Sequence, residues 1–133
     1  MAKIQLEIVT PERKVFDQAV DIIIAKGKEG ELGILANHIP LVTPLRIAPL
    51  RYRINNKEYS VSVQGGFIEV RGEKAVVLAE SAEFPEQIDL ARAQRAKERA
   101  ESRLTDKNKE IDLVRAENAL KRALSRIDVV SND

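Results

Sequence analysis

The spacing of apolar residues changes near residue 85, from a period of two to the period of a helix. Ile4, Leu6 and Ile8 alternate with polar residues, as in a strand that buries one face. Similar short runs, separated by glycine, proline or asparagine, predict an antiparallel β sandwich over residues 1–84. In residues 85–133 the apolar positions recur every three to five residues, which predicts an antiparallel hairpin of two helices. The predicted fold is therefore α+β, with two domains.

Prolines and glycines predict where the strands stop. Pro40, Pro44 and Pro49 each lack a backbone N–H and hold the preceding residue out of the helical region, so we expect short extended pieces at a sheet edge. Gly65 and Gly66 are expected to link two separate short strands.

Asparagines and one apolar run predict local detail of the sheet. Asn55 and Asn56 tolerate the left-handed backbone of a two-residue hairpin turn, and Asn37 is the residue best able to adopt positive φ in its loop. The run of residues 20–25, apolar except for Asp21, predicts a strand covered on both faces, with residues 31–35 as its partner.

The inner stripe of the first predicted helix consists largely of alanine. The expected stripe is Ile88, Ala91, Ala96, Ala100 and Leu104 in the first helix, and Leu113, Ala116, Leu120, Ala123, Leu124 and Ile127 in the second. A buried methyl-sized group contributes only ~0.8 kcal/mol, whereas ordering costs ~1 to 2 kcal/mol per residue of backbone. We therefore expect a marginally stable hairpin that turns near Lys107.

Composition excludes several classes of function. The net charge is +1, and it is balanced along the chain: residues 1–85 carry 11 basic and 11 acidic side chains, and residues 86–133 carry 11 and 10. This balance, with three phenylalanines, two tyrosines and no tryptophan, argues against nucleic-acid binding. There is no cysteine for disulfides or thiol chemistry, and neither a signal peptide nor a membrane span is expected.

The single histidine, His38, has no Ser, Cys or paired carboxylate nearby in the sequence to form a catalytic group. It is interpreted as a hydrogen-bonding residue of a loop or an interface. No glycine cluster precedes a predicted helix, so no phosphate loop is expected either. The sequence therefore predicts a protein that is not an enzyme and holds no metal.

Arginines are stacked on the predicted helices. Arg95, Arg99 and Arg103 follow at steps of four, as do Arg122 and Arg126. Like charges at this spacing destabilise a helix by ~0.2 to 0.5 kcal/mol per pair. These rows of arginines therefore favour the binding of an anion or of a partner chain.

Folding the hairpin about Lys107 would bring Arg92 opposite Arg122, with Ile88 and Asp89 beside Arg126. Guanidinium groups bind phosphate oxygens, a carboxylate can accept from an exocyclic amine, and an isoleucine can cover a purine, so the patch suits ATP.

The alternative interpretation of this patch is a solvated charged face with ordinary intrahelical ion pairs, namely Asp89 with Arg92, Asp112 with Arg115 and Glu117 with Lys121.

Several motifs resemble the epsilon chains of bacterial F-type ATP synthases, in particular those of the ATP-binding, bacillus-like type. They are Gly30-Glu31-Leu32-Gly33-Ile34-Leu35, His38-Ile39-Pro40-Leu41, Gly65-Gly66-Phe67-Ile68-Glu69-Val70, and Ile88-Asp89 with Arg92-Ala93. Ala36-Asn37 stands where many relatives have Pro-Gly. The resemblance implies a ten-stranded β sandwich followed by a helical hairpin, with ATP as a regulatory ligand, with or without Mg. The implied ATP-binding residues are Glu83, Ile88, Asp89, Arg92, Arg99, Arg122 and Arg126.

The resemblance also implies a non-catalytic rotor subunit, peripheral on the cytoplasmic face of the cell membrane. Its sandwich would join the gamma chain to the c-ring, with Glu31 and His38 as contacts. Its helices would extend along gamma towards the alpha and beta chains and inhibit ATP hydrolysis, and Arg115 and Lys121 would engage an acidic surface there. The competing hypothesis is a free-standing adaptor that docks an acidic protein or a nucleic acid through its helical hairpin, and a small enzyme is a distant third.

Overall fold

The computed structural model describes residues 2–106 and 112–131 of the chain, so the predicted turn near Lys107 lies outside the described residues. It contains eight strands, a 3₁₀ turn and two helices, which confirms the α+β class. The strands are β1 (Ile4–Val9), β2 (Lys14–Val20), β3 (Ile22–Gly27), β4 (Gly30–Ile34), β5 (Leu41–Ile54), β6 (Lys57–Arg71), β7 (Lys74–Ala79) and β8 (Ala82–Glu83). The 3₁₀ turn is Pro85–Gln87, and the helices are α1 (Leu90–Thr105) and α2 (Leu113–Ser131).

The strands form a sandwich-type sheet in the order β2-β1-β7-β6-β5-β3-β4, with β8 paired to β6. All pairings are antiparallel except that of β1 with β7, which is parallel. The two parts of β6 have different neighbours, because Gly66–Arg71 pairs with β7 whereas Ser62 and Val63 pair with β8. The two longest strands, β5 and β6, therefore pair along their length and connect the two ends of the sheet.

The predicted breaks at Pro44, Pro49 and Gly65-Gly66 were wrong, and the implied count of about ten strands is eight. Pro44 and Pro49 lie inside β5, paired with Phe67 and Ser62 of β6. Pairing of β5 with β3 is interrupted between Leu45 and Arg51, and Pro49 falls in this gap, where a residue without an N–H is tolerated. Gly65 and Gly66 adopt positive φ and bend β6 without ending it.

The predicted turns are confirmed. Asn37, Asn55 and Asn56 have φ values of 67°, 52° and 67°. The pairing of β3 with β4 is also confirmed, and the second face of β3 is covered only in part. Its residues alternate between buried and half-buried, because only one face of the sheet meets the core at this strand.

The hydrophobic core belongs to the β domain alone. Its fully buried large side chains include Ile4, Leu6, Ile23, Leu50 and Ile68, and no residue of either helix joins this cluster among the described residues. The helix α2 packs against β5 and β6, and α1 packs chiefly against α2. The β domain is therefore closed by its own side chains, and α1 is attached through α2.

The helical stripes differ in part from the prediction. Asp89 is the N-cap of α1, so Ile88 precedes the helix and cannot set its phase; Ala91 is exposed, and Ala93 is buried with Ala100. In α2, Leu113 and Leu124 are exposed, whereas Ala116, Ala123, Ser125 and Val129 are buried. Within the described ranges, no helix combines the length and the apolarity needed to cross a bilayer.

Candidate ligand-binding site

A cavity of about 300 Å³ lies between the beginning of α1 and the last turns of α2. This volume is at the lower end of the range for small-molecule sites. Its lining consists of Gln87, Asp89, Arg92, Ala93, Ala96, Arg99 and Arg126. The helical period explains the α1 contribution, because positions 92, 96 and 99 share one face, and the two alanines leave room beside the backbone.

Asp89 has a structural role in this site. Its Oδ1 accepts a hydrogen bond from the backbone N–H of Arg92, 3.1 Å away, and so caps α1. Asp112 does the same for α2, accepting from the backbone N–H of Arg115 at 3.1 Å. Asp89 and Asp112, each predicted to pair with an arginine side chain, are thus helix caps. A carboxylate has acceptor sites on both oxygens, so Oδ2 of Asp89 can still accept from a ligand.

Arg126 ties the cavity to the β domain. Its Nε donates to Oε1 of Glu83 over 2.6 Å, and both side chains are about 30% exposed (30% and 31%). A guanidinium has five N–H donors, so this bond leaves Arg126 able to donate to a ligand. Glu83 lies at the end of β8 and therefore fixes the position of Arg126 without lining the cavity.

The charge of the cavity favours an anion. Three guanidinium groups, those of Arg92, Arg99 and Arg126, meet one carboxylate there. In the part of the chain that the structure describes, the side chains of Arg92 and Arg99 form no ion pair. Guanidinium forks fit phosphate and carboxylate oxygens bidentately, so the geometry suits a ligand with several anionic oxygens.

Two of the predicted site residues do not line the cavity. Ile88 and Arg122 are half-buried, but neither is among the residues that line the cavity. Gln87 lines it and was not predicted. Its Oε1 accepts from the backbone N–H of Phe84 at 2.9 Å, and a glutamine three residues after the start of a turn is a sequence signal for such a capping box.

The predicted partner contacts lie elsewhere. Glu31 is exposed on β4, and His38 is half-buried, with Nδ1 lying 2.7 Å from the carbonyl oxygen of Ile39. Arg115 and Lys121 are exposed on α2.

An exposed apolar surface on the β domain was not predicted. Val9, Leu78, Phe67 and Pro44 lie side by side across four strands, and Val42 follows on β5. Phe67, Leu78 and Val42 are 51%, 53% and 66% exposed. We call these three residues, with Val9 and Pro44, the apolar sheet face. An exposed apolar patch of this kind marks an interaction surface.

Aromatic packing anchors the junction between the two halves of the chain. The ring centroids of Phe84 and Phe16 are 5.9 Å apart, and those of Phe16 and Tyr52 are 4.9 Å apart. Burial, together with the nearby Tyr59 and Glu86, raises the pKa of Tyr52 to about 12. The chain is thus held firmly as far as Phe84, and the segment that leads into α1 begins after it.

Two family models match the chain. One, described as the beta-sandwich domain of the ATP synthase delta/epsilon chain, matches residues 3–85. The other, described as the long alpha-helix domain of the same chain, matches residues 86–131.

Individual proteins give similar matches. An ATP synthase epsilon chain of Brevibacillus brevis is 53% identical over 111 residues, 83% of this chain and 84% of the relative. One of Dehalococcoides mccartyi (strain CBDB1) is 53% identical over 107 residues, 80% of this chain and 76% of the relative. A chain in the cryo-EM structure of the Euglena gracilis mitochondrial ATP synthase superposes with a TM-score of 0.82 at 24% identity, over 94% of this chain and 79% of that one. At this identity the superposition shows a shared fold.

Proposed function

Because the chain belongs to the ATP synthase delta/epsilon chain family, we propose that it is a central-stalk subunit that joins gamma to the c-ring and restrains ATP hydrolysis. It has no catalytic role of its own. The observation that carries the assignment is the 53% identity to an epsilon chain over most of both sequences. As part of that complex it is peripheral to the membrane, on the cytoplasmic face.

The apolar sheet face supports a large protein partner. Phe67 and Leu78 stand in neighbouring strands and would be covered by gamma, since monomeric proteins rarely leave such side chains together in water. Glu31 and His38 belong to the segments that would rest on the c-ring. The central stalk and c-ring structure of the Tetrahymena thermophila mitochondrial ATP synthase contains a chain of similar fold, with a TM-score of 0.58 at 16% identity.

The cavity is proposed to bind ATP as a regulatory ligand, with or without Mg. Arg92, Arg99 and Arg126 would donate to the phosphates, and Asp89 would accept from the exocyclic amine through Oδ2. Glu83 would orient Arg126. Ile88 and Arg122 would reach ATP only if the hairpin closed around it. Asp89, the one carboxylate that lines the cavity, would be engaged by the exocyclic amine, away from the phosphates, so we expect the ligand to be sensed and not hydrolysed.

ATP binding would act on the docking of the helices. Arg126 comes from α2 and the other two arginines come from α1, so a ligand between them favours the folded-down hairpin. A ligand at a hundred times its Kd adds ~2.7 kcal/mol, which is comparable with the docking energy of an alanine-rich hairpin. Without ATP the helices would extend along gamma towards alpha and beta, and Arg115 and Lys121 would then be presented to those chains.

Two experiments test the proposal. Deletion of residues 88–133 should leave a folded β domain, because its core contains no helix residue among those described, and should raise ATP hydrolysis by the assembled enzyme. An unchanged hydrolysis rate would contradict the inhibitory role.

The second experiment is a calorimetric titration of the isolated chain with ATP. We expect saturable binding that Arg92→Ala weakens by at least about tenfold, as for the loss of a charged hydrogen bond. Arg95→Ala is the matched control, because Arg95 is exposed on α1 but does not line the cavity. Equal weakening in both variants would show a general charge effect, and no binding by the unaltered chain would remove ATP from the proposal.

A further inference from the structure

The sheet face that α2 covers is polar along β6, whereas Ile47 and Pro49 of β5 add apolar groups to it. Along β6, Ser60, Ser62 and Gln64 alternate with the core residues Val61 and Val63, so the three polar side chains share the face turned away from the core. They are nevertheless buried: the exposed fractions are 9%, 0% and 5%. A sheet face with this composition is typical of a solvated surface, yet here a helix lies on it.

A short chain of hydrogen bonds joins this face to α2. Oγ of Ser125 lies 2.8 Å from Oγ of Ser62, and Nε2 of Gln64 donates to the same Ser62 oxygen over 2.8 Å. Ser125 is 3% exposed. The remaining amide oxygen of Gln64 is buried and has no hydrogen-bond partner among the described residues. Buried polar groups are costly when unpaired, so a hydroxyl at this helix position favours docking by giving the buried Ser62 a second hydrogen-bond partner beside Gln64.

The position of Ser125 determines that of Arg126. Successive residues of a helix are separated by about 100° of rotation, so any slip of α2 that breaks the hydroxyl pair also turns Arg126 away from Glu83 and the cavity. One turn further along α2, Oδ2 of Asp128 lies 3.6 Å from Nη2 of Arg51 on β5. The polar contacts at this end of α2 are therefore specific in register, and the fully buried Val129 adds an apolar contact beside them.

We propose that Ser62 and Gln64 are positioning residues for the cavity: through Ser125 they select one register of α2 on the sheet and thereby hold Arg126 beside Arg92 and Arg99. The purpose of this arrangement rests on the proposed ATP site, but the register selection itself does not. Because β6 presents polar side chains to α2, undocking of the helix exposes less apolar area than the separation of two wholly apolar faces would.

The test is amide hydrogen exchange of the full chain, compared between α2 and the core strand β1. Ser62→Ala and Ser125→Ala should each increase the opening of α2 about threefold to tenfold, the range for one net hydrogen bond. The double variant should open little more than the single ones, because both remove the same contact. Exchange of β1 amides should not change. Ser60→Ala, on the same face and strand but outside the hydrogen-bond chain, is the matched control.

Unchanged α2 exchange in both single variants would overturn the proposal. So would fully additive effects, or an equal increase in β1, which would indicate a general loss of stability. Repeating the measurement with saturating ATP separates the two proposals: if α2 protection fails to rise with ATP, the nucleotide assignment fails, whereas the response to Ser62→Ala still decides the positioning role.

Discussion

Replacement of Gly66 by alanine should disrupt the β domain, and the structure gives the reason. Gly66 has a φ of +116°, which side chains rarely allow. A Cβ at this position would lie 2.0 Å from the carbonyl oxygen of Leu78 and 2.9 Å from Cα of Ala79. Both atoms belong to the backbone of β7, which pairs with Gly66, so no side-chain rotation can relieve the contact.

The expected loss of stability follows from two contributions. The backbone conformation costs a residue other than glycine ~1 to 3 kcal/mol. To restore an ordinary contact of 3.4 Å from 2.0 Å, β6 and β7 must separate at this point, and the loss of the two nearest ladder hydrogen bonds adds ~1 to 3 kcal/mol. A total of ~4 kcal/mol is a large part of the ~5 to 15 kcal/mol that stabilises a domain.

Two other glycines separate these contributions. Gly65 has a φ of +77°, but a Cβ added there would have no atom within 4 Å, so Gly65→Ala should cost only the ~1 to 2 kcal/mol of left-handed backbone. Gly33 has neither positive φ nor a close atom, so Gly33→Ala should be neutral or slightly stabilising. Urea unfolding followed by circular dichroism should give the lowest free energy of unfolding for Gly66→Ala, an intermediate one for Gly65→Ala and the highest for Gly33→Ala. Equal stability of the first two would refute the clash.

Three further predictions concern the cavity, the docking of α2 and the ion pairs of Glu7. Asp89→Asn should keep the cap of α1, because an amide oxygen also accepts, yet weaken ATP binding at least about tenfold by calorimetry, whereas Asp89→Ala should also lose ~1 kcal/mol of helix stability. Val129→Ala removes two methyl groups from a fully buried side chain of α2 and should cost ~1.5 to 3 kcal/mol, measured by exchange of α2 amides. Hydrogen bonds from Lys14 and Lys74 lower the pKa of Glu7 below 4.5, so its stabilising effect is present above that value and is lost as the pH falls through the folded-state pKa. As the pH is lowered, the urea concentration at the unfolding midpoint should therefore fall less steeply for Glu7→Gln than for the unaltered chain. Identical pH profiles of the two proteins would contradict this.

Turns could be predicted from the sequence because they depend on local backbone preferences. Asn37, Asn55 and Asn56 take positive φ where the sequence predicts it. The lengths of β5 and β6 could not be predicted, because Pro49 is tolerated only where pairing with β3 is interrupted, and that gap is set by residues far away in the chain. Local rules end a strand at a proline, whereas tertiary pairing decides whether it continues.

The candidate site was predictable to the extent that it follows the helical period. Arg92 and Arg99 do line one cavity, since seven residues are two turns of helix. Ile88 does not line it, because the N-cap at Asp89 places Ile88 outside the helix, where the period no longer applies. The ion pair predicted for Asp89 is a cap instead, because sequence spacing cannot distinguish a side-chain partner from a backbone N–H.

The burial of Ser125 in place of Leu124 has a physical cause that bears on function. Apolar periodicity identifies the helix face that an apolar surface would cover, but α2 lies on a sheet face that carries Ser62 and Gln64. Leu124 therefore remains 44% exposed while a serine is buried. Among the described residues the core of the β domain contains none from α2, so the docking of this helix depends on polar contacts such as that of Ser125 and on the few small apolar side chains that it buries. An interface of that kind has a small net free energy, and a ligand contributing ~3 kcal/mol can control it.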